Sequence, residues 1–180
     1  MKWSSLLYLI LAIMFISSGC KNEDCDTMKK TEFTGTSTWV KDISPGTTEV
    51  LESGKILITG QKSEWYDSAN IAQVTGQSFW VVNQVMSADF SGSELWGTAV
   101  INVGVKNEGD PVLGKWEIIW DGTLTDVVID PESGSIIGGK IKANACGVGV
   151  SGNVENMTGH WIYIMDLAQG PIYYSTGYIK

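Results

Sequence analysis

The chain has 180 residues, a net charge of −8 at pH 7 and no arginine among its 12 basic residues. Nucleic-acid binding depends on neutralising phosphates, and arginine is the favoured group for bidentate contacts to phosphates and bases, so nucleic acid is not an expected partner. With 21 glycines, 4 prolines and 8 tryptophans, the composition is typical of an all-β domain with many turns and aromatic packing.

The N-terminal segment has the organisation of a secretory signal peptide. Lys2 supplies a positive charge, residues 6–16 (LLYLILAIMFI) are uninterruptedly apolar, and residues 17–19 are small. This order of regions is that of a signal peptide, and the apolar run is shorter than the roughly 20 residues of a membrane-spanning helix. We therefore predict a signal peptide, in helical form, over residues 1–19 and export from the cytoplasm.

Cys20 directly follows these small residues. Ser18-Gly19-Cys20 resembles the lipobox of bacterial lipoproteins, in which the cysteine is acylated and becomes the mature N-terminus. The charged residues 21–24 (KNED) resemble the surface-export signal of Bacteroidota lipoproteins, although a solvated tether explains them equally well. The resemblance implies lipidation of Cys20, which anchors the protein to the bacterial outer membrane, facing the periplasm or the cell exterior.

Behind the lipidated cysteine we predict a flexible tether over residues 20–32 and one domain over residues 33–180. Cys25 and Cys146 are a candidate disulfide, because cysteine pairs are oxidised outside the cytoplasm. Such a bond would attach the tether to a distant strand. The alternative is that Cys146 is a small buried hydrophobic residue.

In the domain, apolar and polar residues alternate with a period of two, which is the period of β-strands. Residues 63–70 could be irregular or one helical turn, and the prolines fall in turns between strands. The eight strand candidates are residues 33–41, 54–62, 71–86, 93–106, 114–130, 135–150, 158–168 and 171–180.

The clearest strand is residues 114–129 (GKWEIIWDGTLTDVVI). Its alternation places a set of apolar residues and one glycine on a single face, expected to be buried. That set is Trp116, Ile118, Trp120, Gly122 and Leu124.

Long strands that contain glycines, joined by short turns, favour a closed barrel. We predict an all-β, about eight-stranded antiparallel meandering barrel, with a β-sandwich as the alternative. Residues 33–180 contain short segments that run from one glycine to the next, with a tryptophan near the centre. This pattern resembles that of calycin-like and allene oxide cyclase-like β-barrels.

Residues with catalytic potential are sparse. His160 is the only histidine, on the face opposite Trp161, and is expected to lie on the surface. The sequence contains neither a zinc-ligand cluster nor a nucleophile elbow, so we predict no catalytic residue, metal or cofactor.

The aromatic residues are the remaining candidates for ligand binding, with core packing as the alternative role. They are Trp80, Trp116, Trp120, Trp161 and Tyr163.

The predicted function is that of a non-enzymatic envelope lipoprotein whose barrel binds a small, partly apolar molecule. The alternatives are a carbohydrate- or protein-binding surface module with exposed tryptophans, and a cyclase- or isomerase-like barrel enzyme. An apolar cavity would favour the first, and a filled core with an exposed, coplanar tryptophan pair would favour the second. A buried, unpaired carboxyl beside a cavity would favour the third.

Replacement of Cys20 by serine tests the anchor. Because acylation requires the cysteine sulfur, we expect Cys20→Ser to leave the membrane fraction and to lack the mass of the acyl chains. Fractionation and intact-mass measurement check this. The lipoprotein interpretation fails if Cys20→Ser stays membrane-bound and the wild-type chain is not cleaved.

Overall fold

The computed structural model describes residues 29–180, so the predicted signal peptide, Cys20 and Cys25 lie outside the described residues. Two 3₁₀ turns interrupt the strands, at Ala72–Val74 and Leu167–Gln169. The described range includes no helix long and apolar enough to cross a membrane. The nine strands are β1 (Thr31–Ser44), β2 (Thr47–Val50), β3 (Ile56–Ala69), β4 (Gly76–Met86), β5 (Ser93–Val103), β6 (Gly114–Ile129), β7 (Ile136–Gly152), β8 (Thr158–Asp166) and β9 (Ile172–Ile179).

The sheet closes on itself. Its strands follow the order β1-β9-β8-β7-β6-β5-β4-β3, and β1 also pairs with β3, from Gly35 opposite Ala69 to Ser44 opposite Lys62. The short β2 follows a turn after β1 and pairs with the first residues of β3. Every pairing is antiparallel, and closure satisfies the edges that an open sheet would expose. The predicted all-β, meandering antiparallel barrel is confirmed.

The strand boundaries differ from the prediction mainly in one region. Residues 63–70, interpreted as irregular or helical, belong mostly to β3, whereas residues 71–75 contain a 3₁₀ turn and not the start of a strand. This part of β3 was not predicted because Ser63 and Asp67 are polar residues at inward positions. They interrupt the alternation of apolar and polar residues by which a strand is recognised. The exposed β2 was not predicted.

One half of the barrel interior is tightly packed. Trp116 and Trp161 are fully buried, with their ring centroids 5.3 Å apart in an edge-to-face arrangement. The indole nitrogen of Trp116 donates a 2.7 Å hydrogen bond to the carbonyl oxygen of Gln73, in the 3₁₀ turn that covers this end. We call this end, where β1 begins beside the end of β9, the packed end.

The burial of β6 follows the predicted face. Trp116, Ile118, Trp120 and Leu124 are each at most 8% exposed, while the alternate residues face outward. The period of two therefore predicted correctly which side chains of β6 enter the barrel.

Gly97 of β5 lies between β4 and β6, paired with Val82 on one side and with Trp120 on the other. A Cβ atom at this position would collide with the main-chain oxygen of Val81 and would lie 3.1 Å from the indole nitrogen of Trp120. The absence of a side chain is what allows the Trp120 indole to lie against the wall.

We expect Gly97→Ala to lower the free energy of unfolding by about 1–3 kcal/mol, because the added methyl group overpacks the wall beneath Trp120. The neighbouring Thr98 is exposed on the outer face, so Thr98→Ala is the control and should change stability by less than about 1 kcal/mol. Urea denaturation measures both. Equal stability of Gly97→Ala and wild type would contradict this description of the wall.

Candidate functional site: a cavity above an aromatic floor

The other half of the barrel encloses a cavity of about 790 Å³. It lies at the end where β1, β4, β6 and β8 finish, opposite the packed end. The rim residues Trp39 and Ile137 are 41% and 55% exposed, so the cavity opens to solvent at this mouth. Aliphatic side chains form much of the wall: Ile58, Val82, Met86, Leu95, Leu124, Ile141, Met165 and Leu167.

Five aromatic residues that line the cavity form what we call the aromatic floor: Trp65, Trp80, Trp120, Tyr163 and Tyr173. Their rings make a continuous chain of contacts. Trp80 meets Trp120 at 5.5 Å, and Tyr163 meets Tyr173 at 6.2 Å. At the end of the chain, Tyr173 meets Trp65 at 5.1 Å.

The central contact of the floor crosses the barrel. Trp80 is on β4 and Tyr163 is on β8, which lie opposite each other in the ring of strands. Their ring centroids are 5.1 Å apart, with planes at 89°, a favourable edge-to-face geometry. This contact separates the cavity from the packed half of the interior.

Two of the three floor indoles have their N–H groups bound within the protein. Trp65 donates to the hydroxyl of Ser63 at 2.8 Å, and Trp80 donates to the hydroxyl of Ser78 at 3.1 Å. The N–H of Trp120 is buried and has no partner among the described residues. The floor therefore offers a ligand mainly ring surface.

Polar groups are few in the cavity wall. Gln84 donates a 2.7 Å hydrogen bond to the hydroxyl of Ser93, and Gln61 and Ser63 add polar atoms. At the mouth, the indole N–H of Trp39 lies 3.3 Å from a carboxylate oxygen of Asp42. Among the described residues that line the cavity, Asp42 is the only charged one.

A polar layer lies beneath the floor, on four neighbouring strands of the barrel: Ser78 of β4, Asp67 of β3, Ser37 of β1 and Ser175 of β9. Asp67 is 6% exposed, and neither its Oδ2 nor the hydroxyl of Ser37 has a hydrogen-bond partner in the described range. Asp67 and Tyr163 border a void that is too small for a water molecule. Tyr163 thus touches both this void and the cavity.

Burial raises the pKa of the Asp67 carboxyl to about 6, although the hydroxyls of Ser78 and Ser37 act in the opposite direction. Burial also raises the pKa of Tyr163 far above its usual range, and the charge of Asp67 adds to this effect. Glu64 behaves differently on the outer face, because Gln77, at 2.7 Å, and Lys41, at 3.1 Å, hold its pKa below the usual value.

The structure divides the five aromatic candidates between two places. Trp80, Trp120 and Tyr163 belong to the aromatic floor, whereas Trp116 and Trp161 lie in the packed half and do not line the cavity. The predicted candidates did not include Trp65, Tyr173 and Asp67. Trp65 and Asp67 could have been found from the sequence, because they are two residues apart and therefore lie on the same face of a strand. That face of β3 is the one that points into the barrel.

The remaining candidates lie on the outer face. His160 stacks on Tyr178, with ring centroids 5.7 Å apart. Cys146 is half-buried on the outer face of β7 and is disulfide-bonded; its pairing with Cys25 stays a prediction, because Cys25 lies outside the described residues. No cluster of three or more potential metal-ligating side chains occurs within residues 29–180.

Replacement of Asp67 by asparagine should stabilise the protein more at pH 8 than at pH 4. The folded state holds the Asp67 proton more tightly than the unfolded state does, so stability falls as pH rises from about 4 to about 6. From a pKa of about 6 against a usual value of 3.8, the effect is on the order of 3 kcal/mol. An asparagine side chain does not titrate, so the variant escapes this loss.

Urea denaturation of wild type and Asp67→Asn at both pH values measures the difference. Asp121→Asn is the matched control, because Asp121 is exposed on the outer face of β6. If Asp67→Asn changes the free energy of unfolding equally at pH 4 and pH 8, the buried carboxyl does not titrate as described.

No protein-family model, curated protein or solved structure matches the chain.

Proposed function

We propose that the protein is a non-enzymatic, lipid-anchored binding protein of the bacterial cell envelope, which holds a small, partly apolar molecule in its barrel. The observation that supports this is the cavity of about 790 Å³, lined mainly by aliphatic and aromatic side chains. Ligand sites are typically concave, mostly apolar and about 300–1,000 Å³ in volume.

The contrast between the two halves of the barrel strengthens the proposal. Protein interiors are normally close-packed, and an eight-stranded barrel is narrow enough for side chains to fill. In the packed half, Trp116 and Trp161 are at most 1% exposed. The other half is hollow although most of its wall is apolar, which is the arrangement expected of a binding site.

The position of the mouth also fits an anchored binding protein. β1 begins at the packed end, where Thr31 pairs with Ile179, and the mouth lies at the opposite end of the barrel. A lipid on Cys20 would therefore join the barrel from the packed end. An anchor attached at that end would leave the mouth free to exchange ligand with the aqueous phase.

A cyclase- or isomerase-like enzyme is the second candidate, because Asp67 is a buried carboxyl with an unpartnered oxygen. A general acid or base must come within hydrogen-bonding reach of its substrate. Asp67 lies beneath the aromatic floor and does not line the cavity, so binding without catalysis fits the geometry better. The surface-module alternative has less support: among the described tryptophans, the exposed ones are Trp39 at the rim and Trp96 on the outer face.

Filling part of the cavity with a larger side chain should weaken ligand binding. Val82 and Val81 are adjacent in β4; Val82 lines the cavity, and Val81 points to the outer face. We expect Val82→Phe to weaken binding of a neutral apolar fluorophore, N-phenyl-1-naphthylamine, by about tenfold or more, since the ring occupies ligand space. Val81→Phe is the matched control and should bind like wild type.

Fluorescence titration measures the affinities, and native mass spectrometry of the three proteins purified from their own host detects a retained small molecule. We expect such a molecule on wild type and Val81→Phe and its loss from Val82→Phe. The proposal is overturned if the fluorophore does not bind, or if it binds equally well to both variants.

A further inference from the structure

We infer that the cavity selects ligands that have a cationic group, an organic amine or quaternary ammonium on an apolar body, with the cation seated against the aromatic floor. This inference rests on the proposed function and specifies its ligand class. Three independent features of the site support it: the charges of the wall, the ring surfaces of the floor and the carboxyl beneath the floor.

The wall offers no positive charge to an anionic ligand. No lysine or histidine is among the described residues that line the cavity, and its one charged side chain is the carboxylate of Asp42. The nearby Lys41 is 64% exposed and paired with Glu64 outside the barrel. A carboxylate or phosphate entering the cavity would lose hydration without gaining a counter-charge, which is unfavourable. The wall thus discriminates against anions.

The aromatic floor suits a cation. Its five rings come from five different strands and surround one end of the cavity. Because Trp65 and Trp80 donate their N–H groups to serines of their own strands, these two indoles offer the cavity ring atoms and not free hydrogen-bond donors. Clustered aromatic faces attract cations through the ring quadrupole, most strongly where water is excluded.

Asp67 supplies the counter-charge. Its carboxyl lies in the layer beneath the floor, and Tyr163 borders both that layer and the cavity. Its Oδ2 has no hydrogen-bond partner among the described residues, and the hydroxyls of Ser78 and Ser37 offset only part of the cost of burying its charge. Charges interact more strongly across a low-dielectric interior than across water, so a cation on the floor is attracted to Asp67 without touching it. A buried carboxylate oxygen without a hydrogen-bond partner is unusual, and a cation in the cavity would explain it.

Three probes with the same ten-carbon chain test the inference: decyltrimethylammonium, 1-decanol and decanoate, each below its micelle concentration. Competition against N-phenyl-1-naphthylamine on the purified protein gives the three affinities. We expect decyltrimethylammonium to bind about tenfold more tightly than 1-decanol, the size of a cation–π contribution, and decanoate to bind most weakly.

The source of the preference is tested with two matched substitutions. Asp67→Asn should reduce the ratio of ammonium to alcohol affinity by at least about threefold, because the charge beneath the floor is lost. Asp121→Asn removes an exposed carboxylate from the outer face of β6 and should leave the ratio unchanged. The wild-type ranking of the probes decides the question even where Asp67→Asn fails to fold.

The outcomes separate the two proposals. Binding of 1-decanol or decanoate as tightly as decyltrimethylammonium overturns the cation preference and leaves the binding function standing. An equal loss of the ratio in Asp67→Asn and Asp121→Asn overturns the role of Asp67. Failure of the fluorophore to bind overturns the binding function, and the cation preference with it.

Discussion

The edge-to-face contact between Trp80 and Tyr163 spans the barrel between opposite strands and determines what each half of the interior can do. Below it, the tryptophans of the packed half fill the space that the inward glycines leave; a Cβ at Gly147, for example, would lie 3.0 Å from Trp161. Above it, the small inward residue Ala143 faces empty space and lines the cavity. The packed half supplies buried apolar area for stability, so the hollow half is free to bind a ligand.

The polar layer beneath that contact lowers the stability of the folded protein. Ser37 and Asp67 occupy inward positions at which apolar residues would be expected to be more stabilising, and both have polar atoms without partners among the described residues. The unfavourable burial of Asp67 is reflected in its raised pKa of about 6. A protein selected only for stability would replace this layer with aliphatic side chains. The cation that we propose for the cavity would offset part of the cost of this layer.

Much of the fold could be predicted from the sequence because a closed antiparallel sheet depends on local alternation. The inward face of β6 was predicted residue by residue, and the strand count was close. The prediction failed where polar residues interrupt the pattern: Ser63 and Asp67 place polar groups at inward positions of β3. The floor could not be predicted either, since Tyr173 and Trp65 meet only after β1 pairs with both β9 and β3. Such contacts depend on barrel closure, which the sequence does not encode locally.

The same closure explains why the five aromatic candidates have two different roles. Trp116 and Trp120 are four residues apart on one face of β6, yet one is fully buried near Gln73 and the other borders the cavity. Four residues of a strand span about 13 Å, so the two rings lie at different heights in the barrel. The face of a strand therefore determines whether a side chain enters the barrel, and its position along the strand determines whether it packs in the core or lines the cavity.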